Sequence, residues 1–414
     1  VRARRRDGRR VLLALLVLAG PGAAVAEDWP EWRGPRRDGV SGEKDWLAAW
    51  PEGEAPRLLW RAAVGKGHSA VSISDGRAYT LGWDGKQDTV HCFDAAEGAL
   101  LWKQSYDCGP LKQWPGPRST PAVSGGKVFT LGQHGQMRCF AAVSGAVAWA
   151  VQLPASCQPD ADYGFPWSPL VEGDHVIIGG GSGGLALRTD DGALVWGDVR
   201  KPGACASPVR CEQEGRRAVV LIANDGGESI HLKGIDPRDG RELWRSAPWP
   251  EKWGAACIDP LVEGAAVFLS TAEQENGCAR YTLRGRDLAQ DWMSRRLACY
   301  TGSCVLVNGH VFGVTKAGVL KCLEWRTGEE KWARRGFDAH GALMAAGGLL
   351  VIQTSEQGEV VVAGADPGSY REVRRAKVFA GEPLTFTAPV VANGRLYCRS
   401  YAGEVVCLLV GKAP

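Results

Sequence analysis

The phrase "FDAAEGALLW", residues 93–102, decides the fold of this chain. It runs from the end of an apolar strand through an acidic turn with a glycine into a short strand closed by tryptophan. Related phrases follow it: "FAAVSGAVAW" ends at Trp149, "LRTDDGALVW" at Trp196, "IDPRDGRELW" at Trp244 and "EWRTGEEKW" at Trp332. A degenerate copy, "RGRDLAQDW", ends at Trp292, and "APRLLW" reaches Trp60 without the turn. Successive tryptophans lie 42, 47, 47, 48, 48 and 40 residues apart, the period of a four-stranded propeller blade.

Working outward, each tryptophan is followed by a polar loop and then a strand, a tight turn on glycine with Asp or Asn, and a second alternating strand. "STPAVSGGKVFTLG" (119–132) and "APVVANGRLYCRS" (388–400) are two of eight such bodies, and each reads as a β-hairpin. A third strand completes the unit, as in "TVHCFDA" (89–95) and "EVVCLLV" (404–410). The eighth body ends at the C-terminus without a fourth strand, and "PRLLW" at 56–60 is the spare one. Pairing the two closes the ring and leaves no radial edge. The prediction is an all-β, eight-bladed propeller of four-stranded antiparallel blades over residues 56–414. Seven blades is the alternative, should the seventh body be irregular, since its tryptophan-free continuation "VVVAGADPGSYREV" (360–373) is the weakest copy. Trp60, Trp102, Trp149, Trp196, Trp244, Trp292 and Trp332 are expected to wedge between neighbouring blades. An aromatic ring so placed buries roughly 150–250 Å², and the preceding glycine permits the positive φ of the turn.

Residues 1–26 read as a signal peptide. "VRARRRDGRR" is basic, "VLLALLVLAG" apolar, and "AAVA" ends in the small-x-small pattern cut at Ala26/Glu27. The apolar run is about half of the roughly 20 residues that a transmembrane helix needs. The leader holds six Arg and one Asp, so removing it turns a formal net charge of +3 into −2. No run of Lys/Arg with interleaved aromatics remains, which argues against a nucleic-acid partner. Between leader and ring lies an irregular, tryptophan-rich segment, 27–55. It opens with "DWPEWRGPRRDGVSG" (28–42) and holds Trp29, Trp32, Trp46 and Trp50. It is expected to pack across one face or side of the propeller and cover the last-to-first seam. A partner-binding arm is the alternative.

The D-x-x-x-G-x-x-x-W phrase resembles the tryptophan-docking motif of quinoprotein-type repeats, the PQQ-like propeller family. That family includes quinoprotein alcohol dehydrogenases and the outer-membrane assembly factor BamB. The likeness covers nearly the whole chain after the leader, and the 28–42 stretch looks like the start of an exported bacterial subgroup. For the dehydrogenases the resemblance implies PQQ on the axis, beside Ca²⁺ held by Glu, Asn and Asp and under an adjacent-Cys disulfide. This chain has no Cys-Cys pair, and no Ca²⁺ ligand set can be placed on it, so the cofactor rests on family analogy alone.

Other chemistry is absent from the pattern. There is no HExxH, GxSxG, Walker loop or CxxC. "GGGSGG" (179–184) lacks the lysine and helix of a phosphate loop and reads as a hairpin connection. The seven histidines, His68, His91, His134, His175, His231, His310 and His340, lack metal spacing, and no metal site is expected. Cys92, Cys139, Cys322 and Cys407 share one repeat position as small buried residues. Of the remaining thiols, Cys299–Cys304, Cys205–Cys211, Cys108–Cys157 and Cys257–Cys278 are the pairs nearest in sequence. The loops that lead into the innermost strands converge at one mouth, which places His68, Arg118, Trp167, Asp259 and His340 there as a mixed polar and aromatic ring for a small polar ligand or peptide. A solvated pore mouth is the alternative. The sequence-level reading is a monomeric, non-catalytic, exported scaffold, periplasmic or extracellular, that binds a protein or cell-envelope component through its loops. A degenerate quinoprotein-type oxidoreductase and a BamB-like role in outer-membrane assembly are the other readings.

Overall fold

Four-residue turns and alternating strands of this kind leave the chain almost no helix, and a single 3₁₀ turn, Ala155–Cys157, is found among the described residues. The structure is a computed structural model that describes residues 26–213, 215–224, 229–250, 257–272, 277–381 and 383–411. The expected leader, apart from Ala26, lies outside them. Eight antiparallel sheets follow one another around a ring, each with four blade strands taken in order from axis to rim. Blade 1 comprises Ser72–Ser74, Arg77–Trp83, Gln87–Asp94 and Leu100–Asp107. Blade 7 is regular, with Ala342–Ala346, Leu349–Gln353, Glu359–Gly364 and Glu372–Lys377, so the ring has eight blades. "GGGSGG" joins His175–Ile178 to Leu185–Arg188 as a hairpin.

Blade 8 takes three strands from the C-terminus, Val390–Ala392, Arg395–Arg399 and Glu404–Leu409, and its rim strand, Arg57–Ala63, from the N-terminus. Trp60 pairs with Cys407 in the ladder that closes the ring.

The repeated tryptophans stitch each blade to the next. Trp60 donates its indole N–H to Ala95 O (3.1 Å), Trp102 to Ala142 O (2.9 Å), Trp149 to Thr189 O (2.9 Å), Trp196 to Pro237 O (3.0 Å), Trp292 to Trp325 O (3.1 Å) and Trp332 to Asp366 O (2.8 Å). Each acceptor lies in or beside the turn between third and fourth strands of the following blade. The turn glycine is the seat of the incoming ring: a Cβ on Gly98 would stand 2.5 Å from Trp60, and one on Gly145 2.6 Å from Trp102. Gly192, Gly240 and Gly328 receive Trp149, Trp196 and Trp292 in the same way. The glycine therefore does two jobs, a positive φ and a flat surface for the neighbour. Opposite the tryptophans in the ladder stand Cys92, Cys139, Cys322 and Cys407, all fully buried. Burial pushes the Cys92, Cys322 and Cys407 thiols up to about 12, which keeps them protonated and inert.

Two seams depart from this rule. Blade 5 turns through Gly285 and Arg286 with no seat, and Trp244 instead donates to Gln213 Oε1 (2.7 Å) within its own blade. In blade 7, Arg374 stands at the tryptophan register, opposite Val362. Blade 8 takes its rim strand from Arg57–Ala63, so no turn joins its third and fourth strands, and the seam between blades 7 and 8 is filled from the N-terminal segment. Trp46 donates to Ala346 O (2.9 Å), and Arg374 donates to Trp50 O (3.2 Å). Both indoles are buried.

The seat can be separated from the conformation it needs. Gly145 (φ +70°) and Gly173 (φ +63°) share a left-handed backbone, but only Gly145 carries a ring, and Gly173 faces open space. Denaturant unfolding of Gly145→Ala should show a loss larger than that of Gly173→Ala by about 1–3 kcal/mol, the cost of overpacking. Equal losses would contradict the docking role.

Candidate functional site

The axis is laced by a relay of short polar side chains at the start of successive inner strands. Ala70 N–H donates to Thr120 Oγ1 (2.9 Å), Thr120 N–H to Ser168 Oγ (3.0 Å), Ser168 N–H to Ser207 Oγ (3.1 Å) and Ser207 N–H to Asp259 Oδ1 (2.7 Å). Ser303 Oγ donates to Asp259 Oδ2 (3.3 Å). Each residue binds the next blade, so the inner strands are held at fixed spacing around the channel. Arg399 of blade 8 closes the relay onto blade 1 through Ser69 O (2.5 Å) and Gly65 O (3.1 Å).

Residues 28–43 fill one end of this channel and bond to all eight blades. Trp29 and Ile73 exchange two backbone hydrogen bonds (2.9 and 2.8 Å), and Pro30 O accepts from Val123 N–H (2.8 Å). The Arg37 guanidinium donates to Ser168 O (3.3 Å), Pro169 O and Pro208 O (2.8 Å). Trp32 donates to Asp259 Oδ2 (2.6 Å), and Arg33 to Cys304 O (2.7 Å). Val40–Ser41 then runs parallel to Ala345–Ala346 of blade 7, and Glu43 accepts from the backbone of Asn393 and Gly394 (the latter at 3.0 Å) in blade 8. Two buried arginines need counter-charges, and Asp259 lies 4.0 Å from Arg33. Glu31, itself buried, meets Arg37 at 2.8 Å and Arg210 at 2.5 Å. Arg33 and Arg37 also adopt positive φ, 62° and 55°, a strain that persists only where surrounding contacts over-determine it.

The opposite end, where loops enter the inner strands, is aromatic. Phe386 sits at its centre, with ring centroids 4.8 Å from His68, 4.8 Å from His340, 5.4 Å from Trp114 and 6.0 Å from Tyr401. Tyr300 extends the cluster beyond His340 (5.2 Å). Trp114 is 41% exposed and held at φ +49°, an outlier for a bulky residue. Arg118 donates to Gln113 O and Trp114 O (both 3.1 Å), bracing that loop, and lies over Tyr163 (5.7 Å), which is 44% exposed. Burial, followed by the nearby Arg118, holds the His68 imidazole well below its ordinary 6.5. Burial lowers His340 too.

Of the five residues expected at the mouth, His68, Arg118 and His340 are gathered there. Trp167 is fully buried and donates to Ala204 O (2.5 Å), and Asp259 faces inward to the relay and the plug. Asp259 aligns with Ser207 and Ser303, and that alignment accounts for its place in the relay. Phe386 precedes Thr387 as Arg118 precedes Ser119, so the same repeat alignment points to it. Trp114 and Tyr401 lie in the loop and hairpin turn beside these positions and carry no repeat signal. No disulfide joins the described cysteines, and Cys299 Sγ and Cys304 Sγ lie 3.3 Å apart, both buried.

Two outcomes follow. Arg37→Met removes a buried charge from three carbonyls and Glu31 and should cost about 3–5 kcal/mol in denaturant unfolding. Arg36→Met, an exposed arginine paired with the half-buried Glu27, should cost at most about 1 kcal/mol, and similar losses would contradict a plug fixed by Arg37. His68 is neutral when folded and takes up a proton on unfolding, so it withdraws stability as pH falls below 6.5. Thermal denaturation of His68→Phe should show a shallower acid decline than the unsubstituted chain, and an unchanged slope would count against this assignment.

Residues 41–199, 86–334 and 219–376 match the family described as outer membrane protein assembly factor BamB. The chain is 24% identical to the protein of that name from Shewanella oneidensis over 249 residues, 57% of this chain and 61% of that relative. It therefore spans under two thirds of that relative's length. Identity to the Yersinia pestis protein of the same name is 24% over 293 residues, 67% of this chain and 70% of that one. Among solved structures, BamB from Moraxella catarrhalis superposes with a TM-score of 0.64 at 17% identity, over 87% of this chain and 99% of that one. The quinohemoprotein alcohol dehydrogenase from Comamonas testosteroni does so with 0.61 at 14% identity, over 94% and 81%. These likenesses at low identity speak to the fold, and the family match extends over most of the ring. The chain belongs to the BamB-like family of PQQ-like β-propellers.

Proposed function

We propose that this protein is an exported, non-catalytic scaffold that presents the mouth of its propeller to a protein partner of the cell envelope, in the manner of an outer-membrane assembly factor. The observation that carries this is the asymmetry of the axis. One end is sealed by the chain's own residues 28–43, and the other offers Trp114 and Tyr163, two large exposed aromatic rings on braced loops. Partly exposed aromatics on a rigid base are the anchors from which binding hot spots are built, and loops held by a fixed scaffold are where recognition concentrates. Among the described residues no helix is long and apolar enough to cross a membrane.

The quinone reading fares less well on the residues present. Asp259, the carboxylate at the axis, is engaged by Ser207 N–H, Ser303 Oγ and Trp32. Asp338, buried on the loop into blade 7, accepts from Ser355 N–H (2.6 Å) and Glu356 N–H (3.1 Å). Neither is left to ligate Ca²⁺, so the described residues do not fit that ion beside a quinone. Fold likeness to dehydrogenases carries no chemistry by itself.

A photo-crosslinking residue at position 114 or 163, irradiated in an envelope extract, should yield one discrete protein adduct. The same residue at Leu100, exposed on the rim of blade 1, should yield none. Equal labelling from mouth and rim, or no adduct from the mouth, would contradict the reading.

A further inference from the structure

A groove of about 650 Å³ lies on the same loop-bearing face, between the strand leaving blade 5 and the outer strands of blade 6. Arg295 and Arg296 line one wall, directly after Asp287–Ser294, the rim strand of blade 5. The other wall is the blade-5 side of two paired strands, Val319–Glu324 and Glu330–Arg335, which contribute Lys321 and Arg335. Small residues such as Ala298 and Ala333 leave the space between these cations open, and the lining contains no acidic side chain. Lys321 is paired with Glu330 (2.8 Å). Among the described residues the guanidinium groups of Arg295, Arg296 and Arg335 have no ion-pair or hydrogen-bond partner. Lys316, over Tyr300 at 4.9 Å, stands nearby.

A comparison within the molecule shows how unusual this is. The groove of about 480 Å³ between blades 3 and 4 is also arginine-rich. There Arg217 meets Glu172 (2.9 Å), while Arg238 and Arg241 meet Asp236 (2.6 and 3.8 Å). Three of that groove's four arginines are thus paired with its own carboxylates. Three unpaired guanidinium groups facing one space repel one another, so the arrangement lacks a counter-charge that the chain does not provide.

The geometry points to a site for a phosphoryl group in the groove between blades 5 and 6, with Arg295, Arg296 and Arg335 as its ligands. A single carboxylate would leave most of this charge uncompensated. A phosphoryl group brings about −1.5 to −2 charges and three acceptor oxygens, and guanidinium forks match such oxygens in pairs. The group belongs either to a soluble phosphorylated molecule or to a phospholipid headgroup, and the test separates the two.

Calorimetric titration of the full chain with inorganic pyrophosphate is the first arm, and flotation with vesicles of phosphatidylcholine carrying phosphatidylglycerol the second. Arg296→Ala and Arg335→Ala should each weaken whichever interaction is found by at least about tenfold, the loss of a charge-assisted hydrogen bond. Lys103→Ala, on the exposed rim of blade 1, should leave it unchanged. Pyrophosphate binding without flotation identifies a soluble ligand, and flotation lost in the same variants identifies a headgroup. The proposal is overturned if neither probe binds, if binding survives both arginine substitutions, or if a glutamate oligomer binds more tightly than pyrophosphate. The arginines are exposed, so circular dichroism of the variants should match the unsubstituted protein.

Discussion

A ring of sheets is stable only if its last member finds its first, and here that junction is one antiparallel ladder, Arg57–Ala63 against Glu404–Leu409. Everything else depends on it. The ladder brings Trp60 onto Gly98 and so docks blade 8 on blade 1 as the internal seams are docked. It also ties down the chain immediately after the N-terminal segment, so that residues 28–43 enter the axis with one end already fixed. The entropy of ordering an irregular segment is thereby reduced before its own hydrogen bonds form.

That segment gives the molecule its polarity. Its arginines bond to backbone carbonyls around the axis, and Glu31 and Asp259 supply the charges against which Arg37 and Arg33 are buried. The axis is filled from one end and laced by the serine, threonine and aspartate relay. What remains available lies on the opposite face: an aromatic cluster around Phe386 at the centre and a cationic groove toward blades 5 and 6. That face is the one the proposed partner would meet.

The blade count and the closing strand were legible because tryptophan recurs at a nearly fixed period, and a missing fourth strand at one terminus matched a spare one at the other. The seat of each indole was less visible, since it is a relation between adjacent repeats: Gly145 serves Trp102 of the preceding blade. Trp244 has the motif but lacks a glycine seat in the next blade, which only the two-residue turn at Gly285 reveals. The path of 28–43 was hidden for a different reason. Its partners are main-chain carbonyls such as Ser168 O and Pro208 O, and no sequence pattern marks a carbonyl as free. At the mouth, His68, Arg118 and His340 followed from repeat alignment. Trp167, one position before the relay's Ser168 and so aligned with Ser119 rather than Arg118, is drawn into the core by Gly179 and Gly203, which leave room for its ring.

The central claim is that the chain itself seals one end of its axis, and amide hydrogen exchange tests it most directly. The amides of Trp29, Val123 and Ala345 are bonded between the segment and the inner strands. The account predicts that they exchange as slowly as the central strands of the blades. Exchange at the rate of exposed loops, with the blades themselves protected, would contradict it.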